Sequence, residues 1–390
     1  MSAAFISITP EKKGSPGVGH REIGSAPNGF FDILEKYNLF YVDFPILKMI
    51  SVFLNRRIMM NAIKIETVSL VTTDNKETNL ANYRKYIDDA GTNGIQLLVL
   101  PEYSSTGLAK NISMNYISAE EKELFEKNAE PVPEGETVQM IIERANKYNM
   151  YVAWTMIERD KFYTDRIYNT AVLVGPEGYV GSYRKVHRAG TEKMMFLAGD
   201  KGSEVFDTSI GKIGFIICFD KTYPDTVRAL KLKGAEIIIN PTAWPGLDQR
   251  LGKLDLSMQF HRYAGRCRAM ENGVFYVDCN LGCNPEDKMN AEGGHARIMT
   301  PAGEILAETG WNEEKIVVTA DPQASIAKYY EKMGITEEQH LDMLKKRQKL
   351  HDKAATAADV AMTNIRFYGS ALCNTIMDLP TALKVKGKLK

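Results

Sequence analysis

Residues 212–240 read KIGFIICFDKTYPDTVRALKLKGAEIIIN. Lys212 to Cys218 has the short apolar run of a buried strand. Tyr223 to Lys233 follows as a helix, closed by Gly234, a residue type that enters the left-handed conformation of helix ends at no steric cost. Ala235 to Asn240 is a second apolar run and a second strand. Strand, helix and strand in immediate succession are the unit from which parallel sheets are built.

The alternation extends in both directions. Upstream, Ile63 to Val71 reads as a strand, and Asn79 to Ala90 as a helix with Leu80, Tyr83 and Ile87 at helical spacing, ended by Gly91 and Gly94. Ile95 to Leu100, apolar apart from Gln96, suits a buried central strand. Ser118-x-x-Glu121 has the form of a capping box. Val138, Ile141, Ile142 and Ala145 mark a further amphipathic helix, followed by a strand from Met150 to Ile157. Tyr168 to Val174 and Tyr179 to Tyr183 flank Gly175-Pro176-Glu177-Gly178, a hairpin signature. Downstream, Asp255 to Glu271 is helical and Gly273 to Asn280 is a strand. Ala296 to Thr300 pairs with Ile305 to Glu308 around Pro301-Ala302-Gly303-Glu304, and Ile316 to Ala320 is the last strand. Hairpins among strand–helix units argue for a layered α/β protein with mixed sheets. Residues 321–390 read as polar and helical, with Thr336-x-x-Gln339 as a cap. Residues 1–28 are rich in Gly, Ser, Pro and charge and are expected to be a mobile leader; residues 29–58 are apolar but aperiodic. The expected organisation is a partly disordered leader or extension over 1–60, a main domain over 61–321 and a helical tail over 322–390.

Composition narrows the function classes. The chain has 390 residues, 44% hydrophobic and 25% charged, which is ordinary for a soluble globular protein. Lys plus Arg and Asp plus Glu each number 49, so no net charge draws the chain to nucleic acid or an anionic membrane. No run approaches the ~18 apolar residues of a membrane span, and Met1 to Gly24 lacks the basic-then-apolar order of a secretory signal. Five cysteines, an odd number, do not make a disulfide framework. A reducing compartment follows, and a cytoplasmic location is the expectation.

Three strand ends each deliver a reactive side chain. Ile95 to Leu100 runs into Pro101-Glu102, Tyr179 to Tyr183 into Arg184-Lys185, and Lys212 to Ile217 into Cys218-Phe219-Asp220. Sites gather at strand ends in layered α/β folds, where loops diverge from a rigid scaffold. A carboxylate can take a thiol proton, a thiolate can attack a carbonyl carbon, and an ammonium can hold the oxyanion. Taken singly, each residue has a plainer explanation: an inert core thiol, a solvated acid at a turn, a charged edge.

In combination these segments resemble the carbon–nitrogen hydrolase family, the nitrilase superfamily, in its amidase- and carbamoylase-like branch. The likeness rests on Leu97-Leu98-Val99-Leu100-Pro101-Glu102, Tyr183-Arg184-Lys185-Val186-His187 and Ile216-Ile217-Cys218-Phe219-Asp220 with Tyr223-Pro224-Asp225. Asn240-Pro241-Thr242-Ala243-Trp244, Arg268 to Val274, and Gly294-His295-Ala296 leading to Pro301-Ala302-Gly303-Glu304 follow in the family's order. The resemblance implies a nitrilase-like four-layer α–β–β–α sandwich with mixed sheets. It implies Glu102 as general base, Lys185 as oxyanion donor, Cys218 as nucleophile and the Phe219 N–H as second oxyanion donor. Glu192 matches a further family glutamate that orients the lysine or the substrate amide nitrogen. His187 matches a position some carbamoyl-hydrolysing members use for a substrate carboxylate, with a structural histidine as the other reading. Trp244, Tyr223 and Phe196 are candidate pocket walls.

The expected reaction is cofactor-free and metal-free hydrolysis of a small linear amide or N-carbamoyl compound through a cysteine thioester. Family members that cleave nitriles usually carry Trp-Glu after the nucleophile; here Phe219-Asp220 stands there. A true nitrilase, a catalytically silent binding protein of the same fold and an acyl transferase are the alternatives. Cys279 and Cys283 lack the further ligands of a zinc site, and His261, inside a helix beside Arg262, reads as a helix-face residue. The resemblance also implies a homodimer or higher homo-oligomer, paired through the helices at 223–233 and 255–271, with the tail crossing to the partner.

Overall fold

The computed structural model describes residues 62–107, 118–246, 249–283 and 293–357. The expected leader over 1–60, Cys373 and the end of the tail lie outside these residues.

Two six-stranded mixed sheets form the centre. The first contains β1 (Ile63–Ser69), β2 (Leu97–Val99), β3 (Tyr151–Arg159), β4 (Ile167–Gly175), β5 (Gly178–Arg184) and β12 (Glu314–Ala320), in the order β12-β1-β2-β3-β4-β5. The second contains β6 (Val205–Thr208), β7 (Gly211–Phe215), β8 (Ile237–Thr242), β9 (Phe275–Asn280), β10 (Arg297–Met299) and β11 (Ile305–Glu308), in the order β11-β10-β9-β8-β7-β6. Each sheet is parallel across its three central strands, β1-β2-β3 and β7-β8-β9, and antiparallel at its margins. The hairpins read in the sequence are those margins. β4 and β5 close through Pro176-Glu177 with Gly175 opposite Gly178.

Period-two alternation decides what each face buries. Leu97 and Val99 of β2 point between the sheets and meet Ile237, Ile239, Phe275 and Val277 from the second sheet. Leu98, Val152 and Trp154 point outward, under α1 (Lys76–Thr92) and α3 (Glu136–Tyr148). Ile216, Ile238 and Tyr276 line the opposite outer face, under α5 (Pro224–Leu232) and α6 (Leu256–Asn272). The result is the expected α–β–β–α sandwich. Each fully buried Leu or Ile contributes roughly 1.5–3 kcal/mol, so this three-deep apolar stack supplies most of the driving force.

Two local details differ from the sequence reading. The helix placed at 79–90 begins at Lys76, because the Asn75 side chain accepts from the Thr78 N–H and so caps it. Gly91 does not end that helix. It lies within it, where a Cβ would come within 2.2 Å of the Tyr148 ring; Gly94, at φ +68°, makes the turn. The capping pair at 336–339 is present: Thr336 N donates to Gln339 Oε1 at 2.8 Å and Gln339 N to Thr336 Oγ1 at 3.1 Å. It starts α8 (Glu337–Ala357), which follows α7 (Pro322–Met333). α8 lies along α5 of its own chain, through Lys231–Glu337 at 2.5 Å and Arg228–Gln348 at 2.9 Å.

Candidate active site

Glu102 stands past the end of β2, where the two sheets meet. Its N–H donates to Thr242 O at the end of β8 at 3.3 Å, and Tyr103, at φ +58°, turns the chain away. Its carboxylate is buried. Oε1 accepts from Asn169 Nδ2 at 2.7 Å and Lys185 Nζ at 2.8 Å, and Oε2 from the Ala243 N–H at 2.7 Å. The strand ends of both sheets thus aim at one carboxylate.

Lys185 follows β5. It is 1% exposed, and its N–H donates to Asn169 O at 2.8 Å. Its ammonium donates to Glu102 and to both oxygens of Glu192, at 2.9 and 2.8 Å. Glu192 opens the short helix α4 (Glu192–Met195) in the loop after β5. Its Oε2 also accepts from the Ala189 N–H at 2.6 Å, and its Oε1 accepts from Asn169 Nδ2 at 3.2 Å and from the Tyr103 hydroxyl.

Cys218 follows β7. It is buried and sits at φ +48°, a conformation that costs a non-glycine residue free energy and recurs at functional sites. It opens a 3-10 turn, Cys218–Thr222. The turn is locked by Asp220, which has no exposed surface. Asp220 Oδ2 accepts from Ile217 N at 3.0 Å and the Tyr183 hydroxyl at 2.9 Å; Oδ1 accepts from His187 N at 2.9 Å and His187 Nδ1 at 2.8 Å. One buried carboxylate therefore fastens the Cys218 turn to the segment that carries Lys185. The Cys218 thiol and the Glu102 carboxylate act on each other's protonation.

The electrostatics follow from burial and crowding. Burial raises the Glu102 carboxyl above its ordinary range, opposed by Lys185 and reinforced by Glu192. Burial alone would lower Lys185, but Glu102 and Glu192 hold it well above the usual lysine value. Burial, then the Glu102 charge, raise the Cys218 thiol, while Lys185 and Lys221 pull it down. A thiol, a carboxylate and an ammonium held in its charged form have the parts for proton transfer, nucleophilic attack and oxyanion support.

The structure brings Glu102, Lys185, Glu192 and Cys218 into one cluster. His187 stacks on Tyr223 with ring centroids 3.7 Å apart, and Phe219 lies edge-on to Tyr223 at 6.1 Å and stacked on Trp244 at 6.4 Å. Phe196 is not a pocket wall; it packs between Tyr103 and Phe125. His261 is not on a solvent-facing helix surface; it is fully buried and bonds to Lys221. Asn169, Tyr103 and Asp220 were not singled out in the sequence. Asp220 alone had a signal there, its place two residues after the cysteine. Among the described residues no group of His, Cys, Asp and Glu is arranged to hold a metal ion.

The model of a carbon–nitrogen hydrolase matches residues 63–331. The chain belongs to the carbon–nitrogen hydrolase family. This hydrolase is 35% identical over 243 residues to a nitrilase of Pyrococcus abyssi, covering 62% of the present chain and 82% of the relative. It is 32% identical over 269 residues to a citrullinase of Francisella tularensis, covering 66% and 88%. The crystal structure of Saccharomyces cerevisiae Nit3, of the nitrilase superfamily, superposes with a TM-score of 0.60 at 28% identity, over 71% of this hydrolase and 96% of Nit3. An amidase of Nesterenkonia shares the fold at a TM-score of 0.52 and 22% identity, over 70% and 96%.

Proposed function

We propose that the protein hydrolyses the carbon–nitrogen bond of a small linear amide or N-carbamoyl compound through a thioester on Cys218. The observation that carries this is the buried Lys185 ammonium held 2.8 Å from both Glu102 and Glu192, beside a buried Cys218 at φ +48° that opens the turn after β7. Glu102 takes the thiol proton as sulfur bonds to the carbonyl carbon. Lys185 and the Phe219 N–H hold the oxyanion. The carbon–nitrogen bond breaks as Glu102 returns the proton to the departing amine or ammonia. Water then adds to the thioester and gives a proton to Glu102. The carbon–sulfur bond breaks, the acid leaves, and the proton returns to sulfur. No cofactor or metal takes part in these steps.

Glu192 orients Lys185 rather than the substrate nitrogen. Its two oxygens already accept from Lys185, Tyr103, Asn169 and Ala189, which leaves no lone pair directed at a ligand. His187 Nδ1 is committed to Asp220, and its side chain is 28% exposed, so Nε2 is the atom that can meet a substrate. Phe219, Tyr223 and Trp244 form the aromatic surround. Residues 61–321 form the hydrolase domain, and 322–390 a tail that contributes to subunit contacts in a homodimer or larger homo-oligomer.

The substrate class follows the relatives, which include the citrullinase, a beta-ureidopropionase of Arabidopsis thaliana and an omega-amidase of Saccharomyces cerevisiae. A nitrilase is the second reading, favoured by the Pyrococcus abyssi relative. A panel of amides, N-carbamoyl amines, ureas and nitriles, assayed for ammonia with and without EDTA, tests the proposal. Turnover of an amide or carbamoyl compound, insensitive to EDTA, is expected. Turnover of nitriles alone, or loss of activity on chelation, contradicts it.

A further inference from the structure

The triad's charges do not balance. Glu102, Lys185 and Glu192 together carry one net negative charge, and transfer of the Cys218 proton to Glu102 moves that charge about without removing it. A buried site that must form a thiolate under these conditions works against its own field unless a second cation stands near.

The Cys218 turn carries one. Lys221 lies three residues after the nucleophile, with no exposed surface. Its backbone carbonyl accepts from Arg268 Nε at 2.9 Å, and its side chain runs to an ammonium bonded to His261 Nδ1 and placed 4.2 Å from the centroid of the Trp244 ring. Trp244 stacks in turn on Phe219, the residue after the nucleophile, at 6.4 Å and on His261 at 6.0 Å. Among the described residues no carboxylate lies within ion-pair distance of this ammonium. Asp278, the carboxylate that acts most on this ammonium, lies 3.5 Å from His261 Nδ1 and 3.8 Å from Arg297 Nη1, and accepts from Asn240 Nδ2 at 2.9 Å. Arg297 also donates to Glu308 at 2.9 Å, and Arg262 lies 3.3 Å from Glu308. Asp278 and Glu308 are engaged by Arg297, His261 and Arg262, which leaves the Lys221 ammonium behind the nucleophile turn held by His261 and Trp244 rather than by a carboxylate.

We infer that Lys221 is a second positioning residue for the proposed reaction: its ammonium, fixed on the Trp244 face and the His261 imidazole, balances the negative charge of the Glu102–Lys185–Glu192 cluster and so stabilises the Cys218 thiolate. This rests on the reading of Cys218 as the nucleophile. An ammonium that donates to His261 Nδ1 requires that nitrogen to be unprotonated, and burial, with the Lys221 and Arg297 charges, depresses His261 protonation far below its ordinary range. His261 therefore holds the ammonium in place without adding charge of its own. The charges acting on Cys218 are those of Glu102, Lys185, Lys221 and Glu192; burial lowers Lys221's own protonation, Asp278, Cys218 and Glu102 oppose that, Arg297 reinforces it, and His261 bonds to the ammonium. Lys185 and Lys221 are the cations acting on the sulfur. The first is already shared between two carboxylates, which leaves the second to set the thiolate's balance.

The test is the pH dependence of Cys218 alkylation by iodoacetamide in the full chain, read as modification of the Cys218 peptide so that exposed Cys267 does not interfere. Lys221→Leu keeps roughly the side chain's volume and removes the charge; Lys221→Arg keeps the charge. The leucine variant is expected to move the midpoint of the profile up by about one pH unit, with kcat reduced about tenfold and KM nearly unchanged, and the arginine variant to restore most of both. If Lys221→Leu does not fold, Lys221→Gln is read by the same criteria. An unchanged midpoint, or the same rise in the arginine variant, overturns the inference. Failure of Cys218 to alkylate ahead of the other cysteines in the unsubstituted protein would instead overturn the nucleophile assignment.

Discussion

Asn169 shows how much a single side chain arranges here. One amide nitrogen bonds to Glu102, the Tyr103 hydroxyl and Glu192, and the backbone carbonyl of the same residue receives the Lys185 N–H. It therefore fixes both acids against the lysine between them. Asn169→Asp places a third carboxylate against two others and is expected to lower kcat by about 10²-fold with little change in KM, because it disturbs proton transfer rather than binding; steady-state kinetics decide the split. Glu102→Gln keeps the shape and removes the base, and a loss of about 10²–10⁴-fold in both acylation and thioester hydrolysis is expected. A stopped-flow trace with normal acylation and a stalled thioester would assign the first proton transfer to another group.

At the scale of elements, three strand ends converge because the sheets are stacked with β1 against β9, β3 against β8 and Gly181 of β5 against Phe206 of β6. Leu100 N–H donates to Ala153 O, and Glu102 N–H crosses to Thr242 of the other sheet. The Asp220 clasp then joins the loop after β5 to the turn after β7. Asp220→Asn removes a charge that accepts four hydrogen bonds and turns an amide donor toward other donors. Each broken buried bond costs about 1–3 kcal/mol. A fall in Tm and a lower kcat at nearly constant KM are expected, checked by calorimetry and kinetics on the same sample. Glu102, Lys185 and Cys218 were legible in the sequence through the motifs that resemble the carbon–nitrogen hydrolase family, each at the end of an expected strand. Asn169 and Tyr103 were not, since they enter the site only through the pairing of β4 with β5 and through an αL turn, neither of which leaves a local pattern. β6 escaped notice because Val205–Thr208 is too short to show alternation, and Gly91 was misread because its constraint is the ring of Tyr148, distant in the chain. The layers themselves were legible, since apolar runs, hairpin turns and helix ends are local signals.

For the molecule as a whole, stability sits in the apolar layer between the sheets and in a few buried polar groups beside it. Ile239→Ala opens a cavity in that layer and is expected to cost about 2–5 kcal/mol in urea unfolding, against under ~0.5 kcal/mol for Leu350→Ala, which is 67% exposed. His261 is buried without charge, its protonation depressed first by burial and then by Lys221 and Arg297. Below the ordinary histidine range near pH 6.5 the unfolded chain takes up a proton that the folded chain does not, so stability falls as pH falls. One unit below that range the loss from this residue approaches about 1.4 kcal/mol. Urea midpoints at pH 7.5 and 5.5 check it, and a midpoint that rises on acidification would contradict a neutral His261.

The account's central claim is that the Cys218 sulfur, beside Glu102 and Lys185, carries the acyl group of the substrate. Acid-quenching the full chain during turnover of an amide identified in the substrate panel, followed by peptide-level mass analysis, tests it directly. An acyl increment on the Cys218 peptide is expected, absent from a folded Cys218→Ala variant that releases no ammonia. Turnover by that variant, or an increment on any other residue, would contradict it.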